Sequence, residues 1–256
     1  MRLYHGTTEA VARAARTQGL APRSVTQAQG NWDKHPSNPH AVYLTTAYAG
    51  YFAACASGTH SRWGLVEVET DLLDTAWLVP DEDWLEQVSR AQVIKGMRAK
   101  TIAGRTRWLR ERLILFRGHW LNSVDGLGNC AYLDEIPASA VTRVCVFDPK
   151  SNQAMAMHAL DPCISLMNYA FCGSMYRALV RWFFDGGVEP GEVFLGLDPG
   201  FSPDSSRLSR AQGILAERNG IEVLTAVAAS ATTRTWSERH DPAPADPGEV
   251  AGVTGP

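Results

Sequence analysis

Little in this 256-residue chain commits it to a membrane, a metal or an oxidising compartment. No run approaches the roughly 18 apolar residues of a membrane span. The first residues also lack the basic segment and apolar core of an export signal, so a cytoplasmic protein is expected. The five cysteines, Cys55, Cys130, Cys145, Cys163 and Cys172, are odd in number and scattered, with no C-x-x-C pair; reduced, mostly buried thiols are expected. Seven histidines contain no H-E-x-x-H pattern, and His35 and His40 in a Pro/Asn-rich stretch come nearest to metal spacing, so no metal is expected. Neither sign of charge dominates: 24 Lys and Arg against 27 Asp and Glu leave a formal −3. Binding to nucleic acid or lipid would therefore have to come from local charge. No repeat with a period of about 20–50 residues is visible.

What the chain does have is the composition of a globular protein, 45% hydrophobic and 20% charged. Residues 2–5 read as a strand, and Thr7 or Thr8 can cap a helix that Gly19 ends. A polar stretch, 21–40, precedes a second strand at Ala41–Thr45 and a helix at Ala47–Ala56. Leu65–Glu69 alternates with period two, as a half-exposed strand does. From Asp71 to Trp120 the pattern is mostly helical, with a boundary at Pro80, and Cys130–Ile136 and Val141–Phe147 read as strands. Ile164–Phe184 reads as a long apolar helix, Leu208–Asn219 as another, and Glu192–Leu197 and Ile221–Val227 as further strands. The expected class is α+β, with a core over 1–148, an α/β extension over 149–232 packed on it, and a disordered tail over 233–256.

Two strings carry the chemistry: Tyr4-His5-Gly6-Thr7 on the first strand and Val42-Tyr43-Leu44-Thr45 on the second. A histidine can bond sugar hydroxyls, a glycine admits close backbone approach, and tyrosine rings grip a flat cation. Together they resemble the His-Tyr-Glu branch of the ADP-ribosyltransferases, which includes the diphtheria-toxin-like and poly(ADP-ribose) polymerase catalytic domains. The resemblance covers roughly the first 148 residues. It implies a split mixed β-sheet core flanked by helices and a site for NAD as substrate. His5 would bond the nicotinamide-side ribose, Gly6 would hold the carboxamide through its backbone, and Tyr43 would lie against the ring, with Tyr51 or Tyr48 completing the stack. Thr7 and Thr45 belong to the same strings and are expected at the cofactor. The 21–40 stretch is where such enzymes fold a lid over NAD, and Arg23 could meet the pyrophosphate.

Breaking the nicotinamide–ribose bond develops positive charge on the sugar, so a catalyst needs a carboxylate nearby. The family's third motif lies on a late strand after a loop that contacts the acceptor, which points to Glu135, with Trp120–Gly128 as the loop and Ser123 and Asp125 as acceptor contacts. Asp134 is a rival, as is the pair Glu67 and Glu69, which imitates the two-glutamate motif of the Arg-Ser-Glu branch.

Charge is segregated along the chain. Residues 67–86 hold eight acids and no Lys or Arg, whereas 95–117 hold eight bases against Glu111 alone. On a helical wheel Leu109, Leu113, Phe116 and Trp120 gather on one side, with Arg107, Arg110 and Arg117 broadly opposite. That arrangement suits either a solvated face or a track for DNA or RNA. The function expected is mono-ADP-ribosyl transfer from NAD to nucleic acid or protein, of a toxin or phage-defence kind, with no membrane partner. The alternatives are an NAD-dependent RNA 2′-phosphotransferase, for which the Arg-His cluster near the first strand is missing, and a non-catalytic binding module.

Overall fold

The computed structural model describes residues 1–28, 37–91, 102–160, 169–193 and 205–225. Seven strands form one sheet: β1 (Arg2–Thr8), β2 (Val42–Thr45), β3 (Trp63–Glu69), β4 (Leu78–Pro80), β5 (Asn129–Tyr132), β6 (Val141–Phe147) and β7 (Ile221–Thr225), in the order β4-β5-β2-β1-β3-β6-β7. The chain is α+β, as its pattern predicts, but every strand pair is antiparallel, which corrects the mixed sheet. Strands that run the same way, such as β2 and β3, which both pair with β1, are never neighbours in this order.

Alternation assigns the two faces of the sheet. Leu3, Val42, Leu44, Val66, Val68, Cys130, Tyr132, Val144 and Val146 form one buried cluster with Ala12 and Ala15 of α1 (Glu9–Gln18). Thr8 caps that helix by accepting from the Val11 amide. The opposite face carries two separate clusters. Over β1, β3 and β6, Tyr4, Leu65, Cys145 and Phe147 pack against α3 (Ala49–Ser57) and the aromatic side of α8 (Tyr169–Phe184). Over β2, β5 and β4, Ala41, Val79 and Ala131 pack against Leu85 of α4 (Glu82–Ala91) and Leu109 and Leu113 of α5 (Ile102–Leu115).

Two glycines set how closely the helices approach. A Cβ on Gly6 would lie 2.1 Å from the Ala49 carbonyl oxygen, so α3 rests directly on the β1 backbone. On the other face, a Cβ on Gly64 would lie 2.5 Å from the Ala12 Cβ, where α1 crosses β3.

Several boundaries differ from the sequence reading. The sequence pattern does not reveal β4, because three residues ending in proline carry no usable period. Trp120–Leu127 is the helix α6 and not a loop, held by burial of Ser123, Val124 and Leu127 on one side. Pro190–Val193 is the short helix α9 and not the start of a strand, and 194–204 lie outside the described residues. The expected tail over 233–256 also lies outside them, as do Lys95, Arg98 and Lys100 of the basic segment, His35 and Cys163. Region 149–232 contributes β7 to the sheet edge and α8 to the core beside β6. No helix among the described residues is long and apolar enough to cross a membrane.

Candidate functional site

β1 pairs with β3 along its whole length but meets β2 through the single pair Tyr4↔Thr45. Beyond that rung β1 and β2 part, while β2 pairs with β5 along its other edge over Val42–Thr45. His5 bridges the parting: its Nδ1 lies 2.8 Å from the Tyr43 carbonyl oxygen. A carbonyl can only accept, so Nδ1 carries the proton and the neutral ring presents Nε2 as an acceptor. Burial lowers the His5 pKa, partly opposed by the bond to the Tyr43 carbonyl, which favours that neutral form.

Tyr43 is half-buried beside the cluster over β2 and β5. Its hydroxyl accepts from the Asn38 amide at 2.7 Å. Burial, reinforced by the charges of Glu82 and Asp81, pushes the phenol well above its ordinary pKa, so it remains a donor. His5 and Tyr43 are thus brought together, with Gly6 next to His5. The face of Gly6 toward α3 is filled by that helix, so any ligand contact there must use the backbone edge.

Other expected contacts fall elsewhere. Thr45 is buried, donates its hydroxyl to the Gly128 carbonyl at 3.0 Å and accepts from the Ala47 and Tyr48 amides, leaving no capacity for a cofactor. Thr7 is buried too, and its carbonyl accepts from Ser57 Oγ. Arg23 donates to the Ser37 carbonyl and hydroxyl at 2.7 and 3.0 Å, closing the neck of the 21–40 segment instead of standing free. Tyr48 is a core residue edge-on to Tyr169, and Tyr51 packs edge-on to Phe52 at the margin of the same cluster.

The expected carboxylates are also redistributed. β5 ends at Tyr132, opposite the first residue of β2, so Glu135 lies three residues beyond the ladder, in a turn whose Ile136 bridges to Leu20. Asp134 is exposed in that turn and accepts from the Glu135 amide. Glu67 is 1% exposed and held by Arg143 and by the Thr142 hydroxyl at 2.7 Å. Glu69 bonds the Met1 amine at 2.7 Å. Neither stands at the parting.

On the acceptor side, Ser123 is fully buried in α6, where its hydroxyl accepts from the Asp81 amide and donates to the Asn129 carbonyl. It is a tie between β4 and β5 and not an acceptor contact. Asp125 is exposed on the same helix, and Arg107 and Arg110 are exposed on α5, opposite the buried Leu109 and Leu113. Arg117 instead stacks on Trp77, 5.7 Å from its ring centre.

Three residues that the sequence reading missed stand near Tyr43. Asn129 heads β5 opposite Thr45 and, by alternation, shares the face of Tyr43. It is 3% exposed, and its Oδ1 has no partner. Asp81 and Glu82 are each 8% exposed where β4 enters α4. The cue available was the acidic run directly after Pro80, which reads as a helix start; nothing in its spacing linked it to Tyr43.

Asp81 caps α4 by accepting from the Asp83 amide at 2.8 Å. Burial, then the charge of Asp83, pushes its carboxyl up to about 8 from 3.8. Between those values the folded chain binds more proton than the unfolded one. This contribution to stability is therefore greatest at the acid end of the window, falls as pH rises through it, and is level above the folded value. One proton limits the slope to about 1.4 kcal/mol per pH unit. Asparagine keeps the cap acceptor without titrating, so urea midpoints between about pH 5 and 8 should fall less steeply in Asp81→Asn than in the wild type. Equal slopes would remove Asp81 from this account.

Among the described residues no group of three or more His, Cys, Asp or Glu side chains is placed to hold a metal. No protein-family model matches the chain, and no curated protein does. Among solved structures, EcPltA is similar at 12% identity and a TM-score of 0.30, over 57% of this chain and 74% of that one, a likeness too loose to carry an argument.

Proposed function

We propose that the chain binds NAD and transfers its ADP-ribose to a macromolecular acceptor, nucleic acid or protein, releasing nicotinamide, on an ADP-ribosyltransferase-like core. The observation that carries this reading is the parting between β1 and β2, where His5 Nδ1 bonds the Tyr43 carbonyl. There a neutral imidazole acceptor and the backbone edge at Gly6 adjoin the strand that carries Tyr43, donors and acceptors of the kind that a sugar bearing a flat ring requires. Arg107 and Arg110 support a nucleic-acid acceptor, since both are exposed and no ion pair holds either among the described residues. Glu135 is not supported as the carboxylate by its place beyond β5.

Two measurements test the proposal. NAD at about 100 times its dissociation constant should stabilise the protein by about 2.7 kcal/mol, read as a raised Tm. Labelled NAD, incubated with the protein and separately with DNA, RNA and cell protein, should label one pool and release nicotinamide. Absence of any Tm response refutes the site. Binding without release or transfer leaves a non-catalytic module, and faster consumption of 2′-phosphorylated RNA than of any acceptor favours the phosphotransferase. For a nucleic-acid acceptor, affinity should fall steeply with salt and fall further in Arg107→Ala/Arg110→Ala.

A further inference from the structure

Arginine in this fold commonly meets a carboxylate: Arg13, Arg62, Arg105, Arg143 and Arg181 each form an ion pair. Arg107, Arg110 and Arg112 of α5, and Arg117 just beyond it, form none among the described residues. Two of these four lie on indole rings instead, Arg112 over Trp108 at 5.6 Å from the ring centre and Arg117 over Trp77 at 5.7 Å. In the same turn as Arg117, His119 stacks on Trp84, with ring centres 6.2 Å apart and planes inclined by 22°. Phe116, which precedes that turn and touches His119, packs with Trp84 and Trp108 against the cluster that Tyr43 also borders. Trp77 joins them at the end of the β4–β5 ladder, where its carbonyl accepts from the Leu133 amide at 3.0 Å. It is 39% exposed, and His119 is exposed on Trp84, so both stacked pairs reach solvent.

Indole, imidazole and guanidinium planes at a surface are platforms on which a nucleobase can stack. Arginines that no carboxylate neutralises keep their charge for phosphate. Arg107 and Arg110, three residues apart on α5, share one exposed side of that helix. Bases in a duplex are stacked on one another and offer no free face, whereas a single strand offers bases and phosphates together. An acidic peptide would satisfy the arginines and leave the planes unused. We infer that this surface docks single-stranded nucleic acid, with bases stacked on the Trp77–Arg117 and Trp84–His119 pairs and phosphates met by Arg107 and Arg110. The inference rests on the nucleic-acid form of the proposed function and narrows its acceptor to a single strand, held on the cluster that Tyr43 borders. Stacking reads the base and not the sugar, so DNA and RNA are held alike.

The test uses the full chain without NAD and three fluorescently labelled probes of about twelve nucleotides, within the span of a stacking groove: a single-stranded DNA of mixed sequence, the RNA of the same sequence, and the DNA duplex. Anisotropy should show both single strands bound about tenfold more tightly than the duplex. Trp77→Ala should weaken single-strand binding about tenfold, the effect of losing one stacked base, and Trp77→Phe, which keeps a ring, should restore most of it. Arg107→Ala/Arg110→Ala should instead lower the slope of log affinity against log salt by about 1.4, as expected for two phosphate contacts on a single strand. A duplex bound as well as the single strands, or no binding of either single strand, overturns the inference, and neither result needs a variant to fold. Undiminished binding in a folded Trp77→Ala overturns it too and leaves a track of charge alone. If NAD raises Tm while the strands do not bind, only this inference fails; if the strands bind and NAD does not, the NAD reading fails and the docking surface stands.

Discussion

Arg143→Met is expected to destabilise the protein by about 3–5 kcal/mol, the range for removing one partner of a buried ion pair. Glu67 lies inside the sheet-and-helix layer with its carboxylate gripped by Arg143 through Nε at 2.8 Å and through Nη2. The same guanidinium reaches Asp185 and lies over the Phe184 ring, 5.1 Å from its centre. With methionine in its place, Glu67 retains only the Thr142 hydroxyl and the distant Arg2, 4.0 Å away and half in solvent. Urea denaturation should show the loss, and Glu67→Leu/Arg143→Met should recover most of it, because the charge and its desolvation then vanish together. The double variant also separates two roles for Glu67. If it folds and keeps a wild-type Tm response to NAD, Glu67 is a structural counter-ion; loss of that response in a folded protein would return it to the site.

Gly6→Ala is expected to fall at or beyond the upper end of the roughly 1–3 kcal/mol typical of overpacking. The added methyl would meet backbone on both sides of contact, the Ala49 carbonyl oxygen at 2.1 Å and the Ala53 nitrogen at 2.6 Å. Neither can rotate away as a side chain does, so α3 must lift from β1. Gly118→Ala is the control, since a Cβ there meets nothing within 4 Å; it should stay within about 0.5 kcal/mol. A near-neutral Gly6→Ala in the same denaturation series would show that α3 shifts freely, and the tight seat of β1 would have to be given up.

The parts of the fold legible in the sequence were those set by local pattern. Alternation in Leu65–Glu69 located β3, and threonine followed by Glu9 located the start of α1. His5 and Tyr43 stand out in the sequence because strand, glycine and aromatic occur in strings whose chemistry is local, and the fold puts the two on adjacent strands. The strand expected over Cys130–Ile136 is shorter in the fold, because its end depends on where a ladder stops. β5 has only four residues of β2 and three of β4 to pair with, so it ends at Tyr132, and the apolar Ile136 that lengthened the expected strand belongs to a bridge with Leu20. Helix α6 was hidden by its Asn, Ser and Gly, residues that favour loops until burial of Val124 and Leu127 outweighs propensity.

Gly6 and Gly64 sit on neighbouring rungs, for Gly6 faces Leu65 and Thr7 faces Gly64. At that point the α3 backbone presses on one surface of the sheet, while on the other Gly64 faces the Thr8 carbonyl and the Ala12 Cβ. On the α3 side the distance is fixed by main-chain atoms, which no side-chain replacement can adjust by small steps. His5 precedes Gly6 directly, so its backbone is held by the seat of α3 and its ring by the Tyr43 carbonyl. Variation among descendants of this chain would then be absorbed by the insert between β4 and β5, where helices meet the sheet through side chains, leaving the imidazole in place while the surroundings of Tyr43 diverge.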